Sequence, residues 1–168
     1  MPRVASSPAT GHLKRTRFVA VFGALIVSPV VLSAQTTRLT LGNTSITIAT
    51  PTAADYAAGF KASVLGTTYT VDAIAGGSRT SIVRIRAGCS DLGNSKPLGE
   101  LQWRRADLPT WTSITNSDVL VEQRVQVFNG ANDPWTNTIY YRFLLNWVTD
   151  EPNSYSCDAK ITLTQTVP

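Results

Sequence analysis

The sequence predicts an all-β protein, an antiparallel β-sandwich of seven or eight strands, and three observations carry that prediction. Apolar residues recur at alternate positions in segment after segment, the period that places them on one face of a strand. Polar breaks rich in Gly, Pro, Asn, Asp and Ser separate these segments about every dozen residues. No stretch beyond the N-terminal leader carries a long helical period, so strands must supply the core.

The chain opens with Arg3, Lys14, Arg15 and Arg17, followed by an apolar run over 18–33 and small residues at Ser33 and Ala34. A basic segment, an apolar segment and a small-residue exit describe a secretory signal peptide over 1–34, cut between Ala34 and Gln35. The rival reading is an uncleaved membrane anchor, because 18–34 is 17 residues, near the lower limit for a spanning helix, though Gly23 and Pro29 weaken it. Both readings place the remainder, a single domain over 35–168, outside the cytoplasm: periplasmic, at the cell surface or extracellular. The formal charge of +4 comes from the leader. Of 15 Lys and Arg, 4 lie there, leaving 11 against 11 Asp and Glu, so a nucleic-acid partner loses its electrostatic support.

Residues 36–50 turn to Thr, Ser and aliphatics. Leu39 and Leu41, then Ile46 and Ile48, alternate on either side of Gly42 and Asn43, the pattern of a small hairpin or of one continuous edge strand. Pro51 ends it. Residues 52–61 carry Ala53, Ala54, Tyr56, Ala57, Ala58 and Phe60; their short length and Gly59 favour an irregular crossing over a turn of helix. Tyr69, Val71 and Ala73 mark a strand closed by Gly76 and Gly77, and Val83, Ile85 and Ala87 mark another, with Arg84 and Arg86 on its outer face. Leu101 and Trp103 face inward on the next. Val119, Val121, Val125 and Val127 then line one face of a long strand, with Leu120, Glu122, Arg124 and Gln126 opposite. After a strong turn over 129–134, residues 138–166 read as a β-hairpin. Ile139, Tyr141, Phe143, Leu145 and Trp147 lie inward on its first arm, and Tyr155, Cys157, Ala159, Ile161 and Leu163 on its second.

Cys89 and Cys157 are the only cysteines, 68 residues apart (157 less 89), and Cys89 keeps the inward parity of Ala87. Export to an oxidising space pairs them. Closing so long a loop stabilises the fold by about 4 kcal/mol in the chain-entropy model. Two free buried thiols are the alternative.

Cys89, Trp103 fourteen residues later, and Tyr155 and Cys157 separated by one residue resemble the cysteine, tryptophan, tyrosine and cysteine of immunoglobulin-like domains. The resemblance implies strands B, C and F at 84–89, 100–105 and 155–161, a disulfide tying the two sheets, Trp103 packed on it, and Tyr155 bracing a corner through its hydroxyl. Glu151 stands where that family has Asp, and Asn153 replaces its small residue. Only eleven residues follow Cys157, and their alternation runs unbroken to Leu163, where the family has a turn and a further strand. Such a domain has an exposed sheet edge. The leader, the Thr-rich strands, the single disulfide and the closing run Tyr155, Ser156, Ile161, Thr162, Leu163 and Thr164 also look like secreted bacterial pilus subunits and spore-coat U-like domains. In pilus subunits an alternating N-terminal extension fills a neighbour's missing strand. Residues 37–48 have the alternation, interrupted at Gly42 and Asn43; the other reading has them close their own sheet.

Catalytic options are few. His12, the only histidine, lies in the leader, so the processed chain has no imidazole for a Ser-His-Asp or Cys-His constellation or for a His-ligated zinc. Oxidised cysteines supply neither thiolate nor sulfur ligand. A glycosidase needs two carboxylates, but Glu100 and Glu122 occupy outward strand positions and Asp150 and Glu151 a turn, where solvated surface charge is the plainer reading. Asp150, Glu151, Asn153 and Asp158, or Asn129, Asn132 and Asp133, offer oxygens for calcium without the spacing of a calcium loop. No catalytic residue, metal or cofactor is expected. Trp111 and Trp135 follow prolines in loops and are the candidate binding residues, for a glycan or a protein interface, or else caps on the sandwich ends. Trp103, Trp147 and Tyr155 are expected in the core.

The sequence thus points to a non-catalytic exported subunit of a cell-surface assembly, structural or adhesive, acting through protein contacts or self-assembly. The alternatives are a carbohydrate-binding module using Trp111 and Trp135, and an envelope-complex subunit that meets the membrane only if the leader is retained.

Overall fold

A computed structural model describes residues 37–129, 133–150 and 154–167. The leader, Glu151, Asn153 and Asn132 lie outside the described residues. Among the described residues nine strands form two antiparallel sheets in a β-sandwich-like arrangement. They are β1 (Thr37–Gly42), β2 (Phe60–Ala62), β3 (Thr67–Ala73), β4 (Gly77–Ala87), β5 (Leu101–Arg105), β6 (Thr112–Ser113), β7 (Val119–Phe128), β8 (Trp135–Leu144) and β9 (Ala159–Thr166). The larger sheet runs β1-β3-β8-β5-β6, with β2 also on β8, and the smaller runs β7-β4-β9. Tyr69, Val71, Trp103 and Ile139 from the first meet Val83, Ile85, Val121 and Phe128 from the second in one buried core.

β8 is the centre of the larger sheet, and this corrects the expected hairpin. One of its edges is taken by β3 and β2, which run along it in the same direction, and the other by β5. No edge remains for β9, which pairs with β4 in the smaller sheet. Gly66 permits the close passage between β2 and β3. A Cβ there would lie 2.6 Å from the Ile139 carbonyl oxygen, nearer than packed atoms approach.

The N-terminal hairpin does not form either. β1 pairs with β3, placing Leu39 opposite Val71 and Leu41 opposite Tyr69, so residues 37–42 close their own chain's sheet. Asn43 then turns at φ 51°, its amide donating to the Gly66 carbonyl at 3.2 Å. Residues 43–52 form no strand, although Ile46 and Ile48 pack at the margin of the core. The crossing that follows holds a helix, α1 (Ala53–Ala58). Thr52 and Asp55 cap it reciprocally: the Asp55 N–H donates to the Thr52 hydroxyl at 3.3 Å, and the Thr52 N–H to the Asp55 carboxylate at 2.7 Å. Gly59, at φ 76°, ends the helix in the left-handed cap that glycine adopts most readily.

Cys89 and Cys157 are bonded, Cα atoms 5.4 Å apart. Ala87 lies opposite Ala159, and the Gly88 N–H donates to the Asp158 carbonyl at 2.6 Å. The crosslink therefore extends the β4/β9 ladder within one sheet, instead of tying the two sheets as the immunoglobulin resemblance implied. Trp103 belongs to the other sheet.

A bulge in β7 accounts for the remaining difference. Val83 pairs with Glu122 but Arg84 with Leu120, so Val121 is an extra residue. One extra residue inverts the parity of everything after it. Val121 and Glu122 both face inward, Phe128 is buried, and Val125 and Val127 face solvent, opposite to the unbroken alternation the sequence suggests.

Candidate binding surface

Glu122, expected as a solvated surface charge, is 4% exposed. Its carboxylate accepts from the Tyr69 hydroxyl, from Arg124 Nε at 2.6 Å and from Asn137 Nδ2 at 3.0 Å, with Arg105 at 3.6 Å. Arg105 also forks onto Asp107. Burial pushes the Glu122 carboxyl up, but the hydrogen bonds from Tyr69, Arg124 and Asn137 and the charge of Arg105 outweigh it, and the net position is below the ordinary value. Hydrogen bonding from Arg105 brings Asp107 down to about 2. Burial, then the bond to Glu122, holds the Tyr69 hydroxyl above its ordinary range. The ionised form is the one these partners hold, and almost none of it reaches solvent. It joins the sheets, because Tyr69 and Asn137 come from one and Glu122 and Arg124 from the other.

A second charged cluster lies in the loops. Lys96 Nζ donates to Glu100 and to Asp150, each at 2.6 Å, and sits 5.3 Å from the centre of the Tyr155 ring. Asp150 also accepts from the Asn146 N–H at 2.9 Å. Glu100, considered for catalysis, and Asp150, considered for catalysis and for calcium, are thus committed to a buried ammonium. Among the described residues no group of three or more His, Cys, Asp and Glu is placed to hold a metal.

The aromatic side chains divide differently from expectation. Trp103 is buried, and Tyr155 is half-buried beside Phe143, ring centres 6.3 Å apart. Trp135 is no loop residue. It begins β8 with the inward parity of Ile139 and Tyr141, is 6% exposed, meets Tyr69 edge-on at 5.8 Å and lies 4.5 Å from the Arg124 guanidinium. Trp147 is no core residue, because β8 stops at Leu144; it is 63% exposed and stacks on Tyr56 at 4.2 Å. Both rings line a groove of about 1280 Å³, shared with Ile46, Ile48, Phe143 and Tyr155.

Trp111 remains as the candidate for binding. It lies half-buried just before β6, beside the outer face of the larger sheet, where even-numbered residues of β5 and β8 point away from the core. The register sets Arg104 opposite Tyr140 and Gln102 opposite Arg142. The Arg142 guanidinium lies 4.9 Å from the Phe60 ring centre and 4.6 Å from that of Trp111; the Arg104 guanidinium lies 5.1 Å from Trp111 and 5.4 Å from Tyr140. Rings and cations therefore alternate in the order Phe60, Arg142, Trp111, Arg104, Tyr140. Partial burial holds the Arg142 guanidinium below its ordinary value. Arg104 and Arg142 were not singled out by the sequence. Their outward parity was visible there, but the pairing of β5 with β8 that brings them to Trp111 was not. No family model, curated protein or solved structure matches the chain.

Proposed function

We propose that the protein is an exported, non-catalytic structural or adhesive subunit of a cell-surface assembly, joined to further copies through the edges of its smaller sheet. The observation that carries this reading is the outward turn of β7 after its bulge. Val125, Val127 and Leu120 are 68%, 62% and 52% exposed, beside a strand edge that pairs with no other strand among the described residues. An apolar strip next to an open ladder favours another strand, which takes up the free backbone groups and covers the valines. Among the described residues β9 also pairs on one side only. Pairing of β7 with β7 would close a dimer, and pairing of β7 with β9 would extend a chain. The signal-like leader and the disulfide support export, and the commitment of Glu122, Glu100 and Asp150 to cations supports a non-catalytic role. The likeness to pilus subunits and immunoglobulin-like domains belongs to the same proposal.

Sedimentation velocity on the exported protein tests it. Oligomers should grow over about a hundredfold range of concentration. V125K/V127K should shift the distribution to monomer without lowering the melting temperature, since lysine on an edge blocks pairing without disturbing a core contact. A wild-type protein that stays monomeric throughout sinks the reading.

A further inference from the structure

The row of rings and guanidinium groups on the larger sheet is a second surface, on a different sheet from the proposed assembly edge, and it has a charge of its own. Among the described residues neither Arg104 nor Arg142 has a carboxylate at ion-pair distance, whereas Arg38, Arg105 and Arg124 each do. Among the described residues the Arg142 side chain makes one hydrogen bond, from Nε to Gln102 Oε1 at 2.8 Å, which leaves its two terminal nitrogens unspent. Arg104 uses one terminal nitrogen on the carbonyls of Arg105 and Leu108, at 3.4 and 3.1 Å. Each guanidinium stands over two rings, 4.6–5.4 Å from their centres, which restrains it while terminal nitrogens stay without a protein partner among the described residues. That arrangement presents forks to oxyanions at little cost in side-chain entropy.

We propose that this face binds an acidic polysaccharide, with sugar carboxylates seated on Arg104 and Arg142. Neutral sugars stack on bare ring faces, and so do nucleobases; here guanidinium groups stand over Trp111, Phe60 and Tyr140. Two forks separated by a tryptophan on an open sheet face suit a chain that carries carboxylates at intervals. Gln102, opposite Arg142 and two residues before Arg104 on β5, holds Arg142 Nε in place with its Oε1.

The experiment measures binding of the exported protein to polygalacturonate, neutral dextran and single-stranded oligo-dT at low salt, with R104Q/R142Q and R142K as variants. Polygalacturonate should bind, weaken with added salt, and lose at least about tenfold in affinity with R104Q/R142Q. R142K should lose several-fold, because an ammonium keeps the charge but not the fork or the stacking. Absence of polygalacturonate binding, equal binding of dextran, tighter binding of oligo-dT, or an R142K protein as tight as wild type overturns the proposal. Should R104Q/R142Q fail to fold, R142K decides alone. Sedimentation of the variants should match wild type, which keeps failure here distinct from failure of assembly.

Discussion

The two charged clusters are inverses of one another. At one, a buried cation, Lys96, is held by two acids from the loops. At the other, a buried anion, Glu122, is held by a tyrosine, an asparagine and two arginines from strands of both sheets. Lys96 lies among segments that pair in no strand ladder, and its ion pairs tie the turn-bonded 92–100 segment to Asp150. Glu122 sits where ladders already fix the backbone, and its bonds set how one sheet sits on the other. A buried charge thus serves loop order in one place and sheet docking in the other.

The largest effect that would sharpen this contrast is at Lys96. K96A leaves the Asp150 carboxylate, whose side chain is 3% exposed, without its cation. The expected loss is about 4 kcal/mol in urea unfolding, and K96M/D150L should recover most of it, since replacing both partners removes the unpaired charge. Retention of full stability by K96A would mean the cluster does not order the loops.

The two clusters should also fail at opposite ends of the pH scale. Glu122 is held below its ordinary 4.5, so its contribution is intact above that value and is lost as pH falls through the folded value. For Lys96, burial pulls the ammonium down, but the bonds to Asp150 and Glu100 more than offset it and hold it above its ordinary 10.5; its contribution is intact below that value and is lost as pH rises further. E122Q should flatten the acid arm of a stability profile and K96M the alkaline arm, E122Q losing about 2–3 kcal/mol of stability at neutral pH and K96M about as much as K96A. An acid arm unchanged by E122Q would remove Glu122 from the account. The smallest effect is Y69F, which deletes one donor to Glu122 and keeps the ring; about 1 kcal/mol should be lost by thermal melting.

The contrast also explains what the sequence disclosed. Alternation located β3, β4, β5 and most of β7 and β8, and it put β9's inward residues on the correct face, because burial on one side imposes a period of two. The disulfide followed from the signal-like leader and the cysteine count. α1 was legible in principle: Thr52 and Asp55 have capping-box spacing, and Gly59 marks a helix end as readily as a break. The bulge at Val121 leaves no local mark, yet it decides whether Glu122 or Val125 is inside. Partner choice was equally hidden. β8 and β9 have the composition of hairpin arms, and only the competition of β3, β2 and β5 for the edges of β8 separates them. The arginines beside Trp111 were missed for that same reason, since paired residues of β5 and β8 are 34 to 42 positions apart in the sequence, from Arg105 and Ile139 to Leu101 and Phe143.

The place of the disulfide also sets how the domain responds to pulling. Tension applied at the C-terminal end draws on β9, an edge strand, and can peel its ladder from β4 one bond pair at a time, beginning at Thr166 and Thr80. The peeling meets a covalent stop at Cys157, from which the force passes through Cys89 into the central strand of the smaller sheet. Under mechanical load the oxidised domain can pay out β9 as slack while β4 and β7 stay paired; the reduced domain has no such stop.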